Sequence, residues 1–299
     1  MLLCDTHCDT LFVRAMHPGT PCDITLEKIR QGGMNLQTMA MFVGDSTDMP
    51  AIRETLGKMK AQVQGLLDEG FVQITDPAEA DENTHAFILS IEGCDILTDG
   101  LDQIADWRKM GVRMAALTWN YENCIGSPAK LNKTAKLKPY GREAVREMVK
   151  LGIAPDVSHL NEGGFYDLLD MGVIPLASHS CAAALCPHTR NLTDDQLKAL
   201  FEAGGYVGVN FYPMFLDPNG KADLNTVADH VLYMLDHGGE GKIGFGSDFD
   251  GIEVRPEGLT GPQDFPALLD VLRKRGVTES ILSGIAGQNL LDYYKRAFG

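Results

Sequence analysis

Short apolar runs alternate with longer stretches of helical spacing from one end of the chain to the other. Eight of these runs read as strands, at about residues 2–6, 35–42, 86–91, 112–118, 153–157, 173–177, 206–210 and 242–246. They are nearly continuous in apolar residues, as parallel strands covered on both faces must be; a half-exposed strand would alternate. Between them, Ile52 to Leu67, Glu143 to Leu151, Phe165 to Leu169, Asp194 to Phe201 and Val227 to Leu235 carry apolar residues at helical spacing. Leu151-Gly152 is a helix stop placed just ahead of the fifth run. This alternation predicts an α/β fold, a (β/α)8 TIM-like barrel. A doubly wound open sheet would be favoured by a GxGxxG turn after the first strand, but that strand runs into Asp5-Thr6-His7-Cys8-Asp9. Residues 250–299 read as a C-terminal helical extension, clearest at Phe265 to Lys274 and Gly287 to Arg296. No repeat, low-complexity tract or Pro/Ser linker interrupts the pattern, so residues 1–299 are expected to form one barrel domain.

Composition narrows the function classes. The 299 residues are 44% hydrophobic, enough for a large core, and carry a net charge of −15 from 41 acidic and 26 basic residues. Nucleic-acid affinity rests on Lys and Arg neutralising phosphates, so a polyanion is not the expected partner. No run approaches the roughly 20 apolar residues that span a bilayer. The N-terminus lacks the basic and long apolar regions of a secretory signal, and the C-terminus lacks a lipid-anchor tail. A cytoplasmic location without a membrane partner is the expectation. The seven cysteines are scattered without a CxxC pair, which disfavours a disulfide framework or a structural zinc ribbon. They read as small buried groups of a reduced protein, with thiolate ligation by Cys4, Cys8 or Cys181 as the minor alternative.

The candidate chemistry lies at the strand ends. His7 and Asp9 follow the first strand two residues apart, a spacing that in extended chain points both side chains one way. Glu92 ends the third strand, His159 the fifth, His179 the sixth and Asp248 the eighth. All six fall at C-terminal strand ends, the face where barrel enzymes place their catalytic groups. A single histidine there is more often hydrogen-bonded structure, and a single carboxylate more often a helix cap. Three histidines and three carboxylates together form a metal-binding inventory suited to zinc and its first-row neighbours. Six ligands exceed what one catalytic zinc uses and suit two ions about 3.5–4 Å apart sharing a carboxylate. His17, His85, His188, His230 and His237 fall in loops, at strand starts or on helices and read as solvated or structural, His188 and His230 least clearly.

At these residues the chain resembles the membrane (renal) dipeptidase family of metallopeptidases. The likeness runs from Asp5-Thr6-His7-Cys8-Asp9 through Ser90-Ile91-Glu92-Gly93 and Leu117-Thr118 to Asp156-Val157-Ser158-His159. It continues in Ala177-Ser178-His179-Ser180, Arg190-Asn191-Leu192, Gly246-Ser247-Asp248-Phe249-Asp250-Gly251 and Gly287-Gln288-Asn289-Leu290. The resemblance implies a zinc-dependent dipeptidase with two divalent ions, in which His7 and Asp9 hold one, His159 and His179 the other, and Glu92 bridges them. It implies attack by a hydroxide that bridges the metals, with Asp248 as general acid/base that also meets the substrate. Arg190 would receive the substrate's C-terminal carboxylate, a task its guanidinium fork suits. Small dipeptides, including those with a D-residue at the C-terminal position, are the implied substrates, and a homodimer the implied assembly. The sequence departs from the family after the fourth strand. A substrate-contacting histidine is replaced in Leu117-Thr118-Trp119-Asn120, so Trp119 is expected to shape the pocket, with Asn120, Tyr121 and Asn123 as polar neighbours. The alternatives are a related binuclear amidohydrolase acting on a lactam or N-acyl amino acid, and a non-catalytic binding protein on the same scaffold. A glutamate rather than a lysine at the end of the third strand favours the dipeptidase branch.

Overall fold

The computed structural model describes residues 1–44 and 46–299. Its strands, in chain order, are β1 (Cys4–Asp5), β2 (Leu36–Phe42), β3 (Val72–Gln73), β4 (Ala86–Glu92), β5 (Val112–Ala116), β6 (Ala154–Asp156), β7 (Leu176–Ser180), β8 (Tyr206–Val209) and β9 (Ile243–Phe245). They are hydrogen-bonded in the order β2-β1-β9-β8-β7-β6-β5-β4-β3, and a further pairing of β2 with β4 closes the ring. Every pairing is parallel. The expected barrel of eight strands is therefore the fold. The ninth strand, β3, lies outside the ring: it pairs with Ala86 and Phe87 at the foot of β4, and β5 takes over from Leu89.

Two boundaries differ from the sequence pattern for identifiable reasons. The sixth apolar run, expected at 173–177, becomes a strand only at Leu176–Ser180. Gly172 turns the chain out of the preceding helix at φ 73°, and Pro175 has no N–H to give a ladder. The first ladder bond here runs from the Val157 N–H to the Leu176 carbonyl, 2.8 Å away. His179 thus lies within β7 rather than after it. At the C-terminus, the expected helix from Gly287 is longer. Glu279–Ser283 passes through a π-type turn, Gly284–Gln288, into Asn289–Phe298. A Cβ on Gly287 would lie 2.8 Å from both Cys4 Sγ and the Leu2 carbonyl oxygen, so glycine lets this turn press against the foot of β1.

That contact explains the helical extension. Leu290, Tyr293 and Tyr294 share one buried cluster with Leu2, Cys4, Leu36, Ile88, Met114, Leu176 and Tyr206, which face inward at the N-terminal end of the barrel. The two tyrosines satisfy their hydroxyls on backbone, Tyr293 donating to the Ile174 carbonyl (2.9 Å) and Tyr294 to that of Arg113 (3.1 Å). The bottom of the barrel is sealed by apolar packing, which leaves the opposite mouth for chemistry. No helix of the described residues is long and apolar enough to cross a membrane.

Leu290 is fully buried in this plug. Leu290→Ala is expected to cost about 2–5 kcal/mol of stability by transfer and cavity terms. Denaturant titration with an unchanged slope would show it as a lower midpoint.

Candidate active site

The six residues expected at strand ends meet at the C-terminal mouth. His7 and Asp9 follow β1, Glu92 closes β4, His159 lies three residues past β6, His179 sits in β7, and Asp248 lies three residues past β9. A bridge between Cys8 and Phe249 ties the β1 and β9 ends together. Glu92 stands at the centre, its two oxygens facing opposite ways. Oε2 lies 3.6 Å from His7 Nε2, while Oε1 lies 3.0 Å from His159 Nε2 and 3.7 Å from His179 Nε2. His7 Nε2 is also 3.5 Å from Asp9 Oδ2 and 3.7 Å from Asp248 Oδ1, and the Nε2 atoms of His159 and His179 are 3.1 Å apart. Two overlapping triads result, His7-Asp9-Glu92 and Glu92-His159-His179, and His7, His179 and Asp248 form a third.

The backbone is held in unusual conformations here. The non-glycine residues at positive φ among the described residues are His159 (68°), Asp248 (64°) and Asp250 (65°). Such left-handed conformations cost about 1–3 kcal/mol each and persist where the surroundings over-determine them. Asp248 is fixed by its N–H on the His7 carbonyl (3.1 Å), His159 by its carbonyl on the Ala129 N–H (2.7 Å).

Burial and crowding shift the ionisations. Burial raises Glu92 well above the usual carboxylate range and Asp9 pushes it further; burial likewise raises Asp248. Burial alone would lower His7, but the charges of Glu92, Asp9 and Asp248 outweigh it and push its imidazolium up to about 10. His159 and His179 are held well below their usual range by burial, with the Arg190 charge adding to it. The charges around His7 therefore favour its imidazolium form, while burial favours the neutral acid at Glu92 and Asp248. Among the described residues, His7 Nε2 and Asp9 Oδ1 are buried without a hydrogen-bond partner. Buried polar atoms left unpaired are costly, and both belong to the His7-Asp9-Glu92 group. The imidazole and carboxylate donors fit divalent zinc or its first-row neighbours. No cysteine joins these groups among the described residues. Cys8 Sγ turns to the Thr38 carbonyl and Cys181 Sγ to that of Asn210, and burial pushes both thiols up.

The remaining expected residues line the same cavity, of about 480 Å³. Arg190 is buried beside it. Its Nη2 reaches the His179 carbonyl at 3.4 Å, its Cζ stands 5.5 Å from the Phe215 ring centre, and its Nε has no partner among the described residues. Trp119 packs against Phe42 (ring centres 4.7 Å apart) and stands 6.2 Å from the His159 ring. Of its neighbours, Asn120 Oδ1 meets His159 Nδ1 at 3.3 Å, and Tyr121 packs on the indole. Asn123 instead turns inward and braces the loop through Asp95 and the Leu117 carbonyl. His230 is structural, with Nδ1 accepting from the Ala182 N–H and Nε2 on the Leu216 carbonyl. His188 does line the cavity, lying over Phe215 and accepting the Arg190 N–H on Nδ1. Sequence reasoning passed over Asn210, whose amide donates to Asp248 Oδ2 at 2.9 Å. Its signal in the sequence is its place at the end of the seventh apolar run, a C-terminal strand end like those of the other site residues. Lys130, Tyr212, Asp250 and Glu253 also line the cavity.

A closed parallel barrel with a buried His/Asp/Glu cluster at its C-terminal mouth is an arrangement able to hold divalent metal where barrel enzymes place their chemistry. Comparison with known proteins narrows this. The family model described as membrane dipeptidase, peptidase family M19, matches residues 1–297, so the chain belongs to that family. It is 31% identical over 296 residues to an uncharacterized dipeptidase of Schizosaccharomyces pombe, covering 91% of this chain and 71% of that protein. A second uncharacterized dipeptidase of that yeast is 36% identical over 213 residues, and there the match spans only 52% of the relative's length. Among solved structures, a metallopeptidase from Rhodobacter sphaeroides holding a phosphinate mimic of L-Ala-D-Ala superposes with TM-score 0.89 at 24% identity, covering 99% of each chain. A probable dipeptidase of Pseudomonas aeruginosa gives 0.91 at 18% identity, over 99% of this chain and 95% of that one. These structural likenesses speak for the fold.

Metal ligands must be deprotonated, so uptake by the His7 group has to expel the proton that the carboxylates hold there at neutral pH. The sign follows from the raised value: affinity for a divalent cation should climb with pH up to about 10. Calorimetric titration with zinc at pH 7 in two buffers of different ionisation enthalpy should report proton release. Identical heats in both would contradict it.

Proposed function

We propose that the chain is a binuclear metal-dependent dipeptidase. The observation that carries the reading is the splitting of Glu92 between two ligand triads, with Arg190 and Asp248 on the wall of the same cavity. His7, Asp9 and Glu92 would hold one divalent ion, and Glu92, His159 and His179 a second, zinc being the ion the donors suit best. Such ions supply polarisation of a carbonyl and acidification of a water.

The chain's own residues supply the rest. Arg190 is a buried cation whose contacts leave part of its fork unused, and a free C-terminal carboxylate would complete them. A longer peptide would bring a neutral amide to that spot, which confines the substrate to two residues. Asp248, oriented by Asn210 and raised by burial, can hold a proton and pass it to the departing nitrogen. The loops after β5 and β7 contribute the cationic lining, Lys130 and Arg190. Those after β1 and β9 contribute Asp9, Asp248, Asp250 and Glu253. That division suits a zwitterion bearing an ammonium at one end and a carboxylate at the other. Trp119 shapes the wall beside His159 and has no proton to exchange near neutral pH. We include dipeptides with a C-terminal D-residue among the substrates, the R. sphaeroides neighbour having been solved with such a mimic.

The test is hydrolysis by the zinc-loaded protein of L,L and L,D dipeptides beside N-acyl amino acids and tripeptides, with a chelated control. Dipeptides should be cleaved and tripeptides spared. Absence of turnover on any dipeptide, with metal demonstrably bound, would sink the reading. Asp248→Asn should lower kcat about 10²–10⁴-fold, as loss of a proton-transfer group does, whereas Trp119→Phe should act mainly on KM. Equal losses in kcat would refute the division of labour between them. Arg190→Met should lower kcat/KM about 10–100-fold, the worth of a hydrogen-bonded charge. With the C-terminally amidated dipeptide the same variant should change little.

A further inference from the structure

Two buried aspartates lie beneath the cluster, and each holds the serine that precedes a site residue on the neighbouring strand. Asp5, ending β1, accepts the Ser247 N–H at 2.8 Å and its hydroxyl at 2.5 Å. Asp156, ending β6, accepts the Ser178 N–H at 3.0 Å and its hydroxyl at 2.5 Å. Each aspartate also takes the N–H two residues further along, from His7 (3.3 Å) and Ser158 (2.8 Å) respectively. Ser247 is followed by Asp248, and Ser178 by His179. All four side chains are buried at 2% exposure or less, so no water competes for these bonds.

The two pairs differ at one contact. Ser178 Oγ lies 2.7 Å from His179 Nδ1. Ser247 Oγ meets no ring nitrogen; its other neighbours are the His7 carbonyl and the Phe249 N–H. A hydroxyl has a single proton, and an ionised carboxylate is acceptor only. At 2.5 Å the Ser178 proton belongs to Asp156, in preference to Ser158 Oγ at 3.3 Å. Toward His179 the Ser178 oxygen must then accept, so the imidazole proton sits on Nδ1 and Nε2 presents a bare lone pair. That lone pair faces His159 Nε2 and Glu92 Oε1.

We infer that Asp156 and Ser178 are positioning residues that fix the tautomer of His179, so that its Nε2 is always a donor to a cation beside Glu92. The inference rests on the metal reading of the site. Hydrogen-bonded partners behind a metal-ligating histidine set its tautomer and ring orientation in general. Here the chain runs through a serine rather than straight to the carboxylate.

Asp156→Asn is the sharpest probe, because it keeps the shape and reverses the chain. The amide oxygen would take over the N–H bonds of Ser158 and Ser178, and the NH₂ would donate to Ser178 Oγ. The serine proton would swing to His179 Nδ1, leaving the imidazole proton on Nε2, where the cation must bind. The expected result is zinc affinity about 10–100-fold weaker in competition with a chromophoric chelator, a loss at least as large as for Ser178→Ala. Ser247→Ala removes an equally buried serine with no ring contact and should keep the wild-type zinc affinity. Nitrogen-15 spectra of the metal-free wild type should place the His179 proton on Nδ1, and those of Asp156→Asn on Nε2. Wild-type zinc affinity in Asp156→Asn, or equal losses in Ser178→Ala and Ser247→Ala, would overturn the inference. If Asp156→Asn does not fold, the wild-type spectrum and Ser178→Ala decide: an Nε2 proton, or unchanged zinc affinity, refutes it. A wild-type protein that takes up no zinc at all would instead overturn the metal reading itself.

Discussion

Three carboxylates and three imidazoles crowd into one buried barrel mouth, and the arrangement makes physical sense only around positive charge. Asp9, Glu92 and Asp248 each come within 3.7 Å of the same imidazole nitrogen of His7. Carboxylates removed from water and set against each other repel, which is why burial and mutual charge raise Glu92. The His7 imidazole, drawn toward its protonated form by those neighbours, answers only part of that crowding. Across Glu92, His159 and His179 both turn Nε2 toward the same carboxylate oxygen. A pair of divalent cations would satisfy both halves at once. The proposed chemistry, the binding of a zwitterionic substrate and the buried serine–aspartate pairs all take their meaning from this unmet demand.

The fold supplies what such a cluster requires. Parallel strands deliver six side chains from five strand ends to one rim without long flexible loops. The left-handed backbone at His159 and Asp248 re-aims two of them. The cost of that strain and burial is met elsewhere: the C-terminal helix closes the opposite end of the barrel with Leu290, Tyr293 and Tyr294. Asp5 and Asp156 tie neighbouring strands together directly under the site. Rigidity is the common thread, because ligands placed to within a fraction of an ångström cannot sit on mobile segments.

Much of this was legible in the sequence because it depends on local order along the chain. A buried parallel strand announces itself by a continuous apolar run, and a polar side chain at its C-terminal end stands out by position, as Glu92, His159 and Asp248 do. Where local signals competed, boundaries moved: Pro175 delayed β7, so His179 is a strand residue. The extra strand β3 is exposed at Val72 and only half-buried at Gln73, so it lacks the continuous apolar run that marks the strands of the ring. What stayed hidden was every role set by a neighbour distant in sequence. Asn210 looks like a strand-end polar residue until Asp248, 38 positions on, is placed against it. Ser178 and Asp156 stand inside motifs that carry the family resemblance, yet their hydrogen-bond directions follow only from the packing of β6 on β7. Asn123 shows the converse, a polar residue near Trp119 that packing turns to bracing a loop.

The central claim is that Glu92 is shared by two cations. Crystals of the zinc-loaded protein, measured on both sides of the zinc absorption edge, test it most directly. The account predicts two anomalous peaks about 3.5–4 Å apart, one within bonding distance of His7, Asp9 and Glu92 and the other of Glu92, His159 and His179. A single peak, or two peaks that leave Glu92 outside bonding distance of either ion, would contradict it.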